Sequence, residues 1–382
     1  MIRVLLVEDS PTQRDFLRAL LESAGEFEVI GEAHDGEQAL HQTGRLRPDI
    51  ILMDCFMPRM DGLEATRLIM RQCPTPIVLT SADLAAREAE VSFEAMRLGA
   101  LGVVAKPTAI GAPDHVKTTE NLLRTLRLMS EVKVVGRRIT RSPSIPASPA
   151  ASASRGIEVV AIGGSTGAPG IIADILAQLT PESARPILVV QHISEGFSAG
   201  FASWLDNKTR LRVRLAEALM KAEPGNVYIA PDGLQMGISR SGTIQLADAP
   251  PENGFRPSVG YLFRSVAASY GSRSLGVLLT GMGCDGAAGL SAIRKAGGHT
   301  IAQSEETCIV FGMPRAAIEL DAAQEVLAPS LIAKAINALN CEGGGVSKER
   351  RNDSVNPAPE ASKGAPPSPL CSDTRSGEKA GP

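Results

Sequence analysis

Two consecutive α/β domains, each a doubly wound parallel sheet, are the architecture this sequence predicts, and three observations predict it. Short apolar, β-branched runs alternate with helical stretches from the first residues to about residue 340. A Ser/Pro/Ala-rich stretch, containing Ser142-Pro143-Ser144-Ile145-Pro146-Ala147-Ser148-Pro149, interrupts that alternation once. Residues able to carry chemistry fall where the apolar runs end, and function in a parallel sheet gathers at the carboxyl ends of its strands.

The first half holds five strand-helix repeats. Strands are expected at Arg3–Val7, Glu28–Ala33, Ile50–Met53, Ile77–Leu79 and Gly102–Ala105. Helices follow near Thr12–Ser23, from Glu37, after Gly62, near Ala86–Arg97 and before Ser130, so the crossovers are right-handed. Residues 1–130 form this domain, 131–156 a linker, 157–340 the second domain and 341–382 a tail. The tail is rich in Gly, Ser, Pro and charge without hydrophobic periodicity, a composition that cannot offset its ordering entropy. Arg137, Arg138 and Arg141 mark either a solvated linker edge or a docking patch.

Composition narrows the function classes. A net charge of −3 gives no electrostatic case for nucleic acid. No stretch approaches the roughly 20 apolar residues that membrane insertion needs. The six cysteines are scattered, without C-x-x-C pairs or clustered His, which argues against a zinc site or a disulfide framework. Met1 runs straight into a strand-like segment with no leader, so the cytoplasm is the expected compartment.

At the strand ends of the first domain stand Glu8 and Asp9, then Asp54, Thr80 and Lys106. Three converging carboxylates repel one another unless a hard divalent cation neutralises them, and Mg2+ takes one or two carboxylates plus a phosphate. Asp54 is the candidate phosphoacceptor, with Thr80 and Lys106 to bind the phosphoryl oxygens. Singly, each acid reads equally as a helix cap; five together at strand ends point to phosphoryl chemistry.

In the second domain the run Val159-Val160-Ala161-Ile162 breaks into Gly163-Gly164-Ser165-Thr166-Gly167, and helical spacing resumes over Ile171–Leu179. Gly163, Ser165 and Gly167 satisfy G-x-S-x-G, the pattern of a nucleophile elbow and also of a glycine-rich turn with a capping serine. The strand Ile187–Val190 ends at Gln191-His192, where a general base belongs, although a satisfied histidine fits too. A third strand, Leu275–Leu279, leads to Asp285, which can orient an imidazole. Gly281, Gly283 and Gly286 also spell G-x-G-x-x-G with Glu305 downstream. Asp285 inside that loop opposes a pyrophosphate, and Glu305 falls beyond the strand His299–Ala302, so the dinucleotide reading is set aside.

Val7-Glu8-Asp9-Ser10, Met53-Asp54-Cys55-Phe56-Met57-Pro58-Arg59-Met60-Asp61-Gly62 and Lys106-Pro107 resemble the motifs of response-regulator receiver domains, a flavodoxin-like fold. That resemblance implies phosphorylation of Asp54 by a histidine kinase, with Mg2+ held by Glu8, Asp9, Asp54 and the backbone carbonyl of Phe56. The second half, Rossmann-like, resembles the chemotaxis protein-glutamate methylesterases. The match runs through Ile162–Gly167, Gln191-His192, Arg256-Pro257-Ser258-Val259, Leu279–Gly286 and Phe311-Gly312-Met313-Pro314.

The resemblance implies Ser165 as nucleophile, His192 as general base and acid, Asp285 as orienting acid, and the Met282 backbone N–H as oxyanion donor. The implied substrates are γ-glutamyl methyl esters on methyl-accepting chemoreceptors, with glutamine deamidation as a further activity and no cofactor for the ester reaction. Gly260 departs from the family's Asp, and Pro231-Asp232-Gly233-Leu234-Gln235 departs from Pro-Gly-Asp-x-His; both bear on substrate docking. A second class of reading remains, a phosphorylation-controlled module that binds receptor or kinase without turnover.

Overall fold

The computed structural model describes residues 1–81, 86–132, 134, 156–182 and 184–341. The tail beyond Cys341, most of the expected linker, and Arg137, Arg138 and Arg141 lie outside the described residues.

The first sheet is built from β1 (Ile2–Val7), β2 (Phe27–Ala33), β3 (Ile50–Asp54), β4 (Ile77–Ser81) and β5 (Gly102–Ala105). Between and after them run α1 (Pro11–Ser23), α2 (Gly36–Leu46), α3 (Gly62–Gln72), α4 (Ala86–Leu98) and α5 (His115–Ser130). The five strands lie parallel in the order β2-β1-β3-β4-β5. This is the flavodoxin-like doubly wound arrangement expected from the alternating pattern. Ser10, Asp35 and Asp61 cap α1, α2 and α3 by accepting from the third backbone N–H onward.

The second domain contains β6 (Val159–Gly164), α6 (Ala168–Leu176), β7 (Ile187–Gln191), α7 (Ser198–Asp206), β8 (Arg212–Leu215) and β9 (Asn226–Ile229). A hairpin of β10 (Gln235–Ile238) and β11 (Ile244–Ala247) follows, then α8 (Val259–Tyr270), β12 (Ser274–Leu278), α9 (Ala287–Lys295) and β13 (His299–Gln303). The described part of the domain ends with α10 (Met313–Glu319), β14 (Glu325–Leu327) and α11 (Pro329–Cys341). Its seven-stranded sheet is parallel throughout, in the order β14-β13-β12-β6-β7-β9-β8. The strand carrying the glycine-serine turn is therefore flanked by those carrying the histidine and leading to the aspartate. Helix α6 begins three residues earlier than the apolar spacing indicates, because Pro169 suits its first turn. Gly167, at φ 79°, supplies the left-handed residue before it.

Helix α4 packs on α6 and α7, and one apolar core spans both domains. At its centre Phe93, fully buried, lies 5.1 Å from the Phe201 ring and 5.5 Å from Trp204, and meets Phe197 edge-on at 6.4 Å. Burying such a ring is worth about 3 kcal/mol. Polar contacts join the same face: Ser194 Oγ donates to the Val103 carbonyl at 2.9 Å, and Lys117 pairs with Glu195.

Candidate active site and phosphoacceptor site

Parallel register positions the rim of the second sheet. Gly164 pairs with Gln191, and the His192 N–H donates to the Gly164 carbonyl at 3.0 Å. Ser165 and His192 thus leave adjacent strands side by side, at a strand spacing of about 4.8 Å. Gln191 Nε2 donates to the carbonyls of both Ser165 and His192, at 2.8 and 2.9 Å, and so ties the two turns together. On the other flank the Ser165 N–H donates to the Thr280 carbonyl at 3.0 Å. The next residue must be small: a Cβ on Gly281 would sit 2.6 Å from the Ser165 Cβ. The Met282 amide, one residue further on, donates to no protein acceptor among the described residues.

Asp285 lies in the glycine-rich loop between β12 and α9, well past the strand end, and reaches back to His192. Its Oδ2 accepts from His192 Nε2 at 2.9 Å and from the Val259 N–H at 2.8 Å. Its Oδ1 accepts from Ser258 Oγ at 2.9 Å, the Gly260 N–H at 3.2 Å and Asn253 Nδ2 at 3.3 Å. Burial alone would raise this carboxyl. The hydrogen bond and charge of His192, then Ser258 and Val259, outweigh it and hold the group down to about 2. An ionised carboxylate only accepts, so Nε2 carries a proton, and in the uncharged form of the ring the lone pair lies on Nδ1. That Nδ1 is buried and has no hydrogen-bond partner among the described residues.

The wall of the site was not foreseen from sequence. Phe255 stacks flat on the His192 ring, with centroids 3.8 Å apart and planes within 2°. Ser258, the N-cap of α8, aims that helix's first amides at Asp285. Arg256-Pro257-Ser258-Val259 stood out as a motif, but its contact with the acid depends on how α8 docks. On the nucleophile side, Thr166 Oγ1 lies 3.9 Å from Met129 Sδ at the end of α5. Met282, Ile309 and Val310 pack against the first-domain core that contains Met129 and Val132, and Ser165 is 8% exposed.

In the first domain the strand-end residues converge. Ligand atoms of Glu8, Asp9 and Asp54 all lie within 4.8 Å of one another. Lys106 Nζ sits 2.9 Å from both Glu8 Oε2 and Asp54 Oδ2. Thr80 pairs in register with Asp54 on the neighbouring strand, and Phe56 stands in the loop after β3. Burial raises Asp54, Lys106 lowers it, and Glu8 raises it again, leaving it at about 6. Three clustered oxygen donors suit a hard divalent cation, the chemistry such an acidic site requires.

A phosphoacceptor-type sheet joined to a sheet with a serine, a histidine and an aspartate at its rim defines the class: a receiver-regulated hydrolase. The family model described as CheB methylesterase matches residues 160–336, and that described as response regulator receiver domain matches residues 4–113. A protein-glutamate methylesterase/protein-glutamine glutaminase of Syntrophus aciditrophicus is 47% identical, over 88% of this chain and 97% of the relative. One from Geobacter metallireducens is 43% identical, over 90% of this chain and 100% of the relative. The crystal structure of the Thermotoga maritima CheB methylesterase catalytic domain is 37% identical, covers 48% of this chain and 98% of its own, and has a TM-score of 0.47. The chain belongs to the protein-glutamate methylesterase/protein-glutamine glutaminase family. No helix among the described residues is long and apolar enough to cross a membrane.

Proposed function

We propose that this protein hydrolyses γ-glutamyl methyl esters on methyl-accepting chemoreceptors, under control of phosphorylation at Asp54. The observation that carries the reading is the 2.9 Å pairing of His192 with Asp285 beside the Ser165 turn. His192 Nδ1 takes the Ser165 proton as Oγ attacks the ester carbonyl, and the Met282 N–H steadies the oxyanion. The tetrahedral adduct collapses, the C–O bond to the methoxy group breaks, and His192 returns the proton so that methanol leaves. Water, deprotonated by the same imidazole, cleaves the acyl-serine to free glutamate. A glutamine side chain follows the same route with ammonia as leaving group. Asp285 stays ionised throughout and holds the ring.

In the receiver, residues 1–130, Glu8, Asp9, Asp54 and the Phe56 carbonyl would hold Mg2+, which when bound neutralises the carboxylates and the incoming phosphoryl oxygens. Asp54 attacks the phosphorus of a histidine kinase's phosphohistidine, and Thr80 and Lys106 bind the transferred group. Before phosphorylation the receiver covers the catalytic rim: the Thr166–Met129 contact and the shared core support this. Phosphorylation favours a receiver state that packs less well, a population shift. The linker 131–156 joins the receiver to catalytic residues 157–340, and the reaction belongs in the cytoplasm, where receptor signalling helices are exposed.

The test is methanol release from methyl-labelled receptor. Ser165→Ala is expected to lower it by at least about 10³-fold. Retained turnover removes the nucleophile assignment. Receptor binding without turnover in the unaltered chain favours the non-catalytic module instead.

A further inference from the structure

Gln235 opens β10 and is fully buried, and its amide is committed outside its own hairpin. Its Oε1 accepts the Ser258 N–H at 2.8 Å. Its Nε2 donates to the carbonyls of Pro250 at 3.1 Å and Phe255 at 3.4 Å. Two of the three residues it holds touch the His192–Asp285 pair. Ser258 donates to the carboxylate, and the Phe255 ring lies flat on the imidazole. Asn253, between Pro250 and Phe255 in this segment, also reaches Asp285. One wall of the site is therefore a chain segment between β11 and α8 whose two ends meet at a single amide.

We propose that Gln235 is a positioning residue for hydrolysis, setting Asp285 through Ser258 and setting the ring plane of His192 through the backbone of Phe255. The proposal rests on the Ser165, His192 and Asp285 reading above. Its logic is geometric. Among the described residues the imidazole makes one hydrogen bond, to Asp285, and that bond leaves rotation about its own axis free; the stacked Phe255 face removes that freedom. Proton transfer to and from Nδ1 depends on the ring plane, and a misplacement of about 1 Å far from the reacting atoms can cost about 10²-fold. The amide is chemically matched to the task, since it meets one N–H and two carbonyls with an acceptor and two donors. Glutamate has no donor when ionised, and methionine keeps the shape with neither function. Histidine keeps one acceptor and one donor, so Gln235→His is the conservative exchange.

The experiment uses the full chain, methyl-labelled receptor and methanol release, with ¹H NMR of the imidazole Nε2 proton as a readout independent of turnover. Gln235→Met is expected to lower kcat by about 10- to 100-fold with KM within about twofold, and to broaden the Nε2 proton signal. Gln235→His is expected to recover most of the loss. Phe255→Leu is half-buried, so it leaves the fold intact should Gln235→Met not fold, and is expected to lower kcat by about tenfold at unchanged KM. Parental kcat and an unchanged Nε2 signal in Gln235→Met, or in Phe255→Leu where the first variant does not fold, overturns the positioning role. Ser165→Ala, run alongside, separates the two ideas: retained turnover there overturns the site reading itself.

Discussion

Two aspartates, Asp54 and Asp285, sit at the carboxyl rims of their own parallel sheets, 6% and 1% exposed, and burial pushes both upward. They end in opposite places, at about 6 and about 2. The difference lies in what surrounds them. Asp285 receives an imidazole N–H, a hydroxyl, two helix amides and a side-chain amide, each favouring the charged form. Asp54 shares its one ammonium partner with Glu8, whose own charge works against it. The first carboxylate is built to keep a constant charge. The second is left short of compensation, which suits a group that meets a cation and a phosphoryl group in turn.

The sharpest way to break this comparison is to neutralise one acid and leave the other. Asp285→Asn presents an amide in place of an oxygen that must accept from Nε2–H, so the imidazole takes the wrong tautomer. Methanol release should fall by about 10³- to 10⁴-fold while phosphoryl uptake at Asp54 is untouched. Ester turnover within about tenfold of the parent would mean the carboxylate's charge is not what the rim requires. A smaller effect is expected where the regions meet. Phe93→Ala removes a receiver ring buried among Phe197, Phe201 and Trp204, and should raise methanol release by the unphosphorylated chain about tenfold, a coupling of about 1.4 kcal/mol. Unchanged basal turnover in a folded variant would show that this contact does not restrain the catalytic rim.

What sequence reveals of the two sites differs for a physical reason. Glu8, Asp54, Thr80 and Lys106 each directly follow an apolar run at the carboxyl end of a strand, and strand order alone brings such residues together. Ser165 and His192 are equally legible, because they follow paired residues on neighbouring strands. Asp285 is less so: it stands on a loop that folds back, and only the histidine and the α8 amides explain its place. Ser258 and Gln235 stand in motif stretches, but their links to the His192–Asp285 pair were not legible, and Phe255 carried no signal at all. Their contacts join the β10–β11 hairpin, the segment after it and α8, and no local period encodes that docking. Strands β8 and β9 escaped for another reason, since Arg212–Leu215 and Asn226–Ile229 mix polar and apolar residues and are too short for a clear pattern.

The smallest expected effect tests the acid shell without any substrate. Asp285 titrates at about 2 in the folded chain against an ordinary 3.8, so the folded state binds fewer protons through this group between those values. Its contribution, about 2 kcal/mol, is fully present above about pH 4 and is lost as pH falls through about 2. Asp285→Asn has no such titration. Urea unfolding of parent and variant across that interval should therefore show the parent losing about 2 kcal/mol more than the variant as pH falls. Parallel curves would mean the donors around Asp285 do not hold it ionised, and the contrast with Asp54 would lose its physical basis.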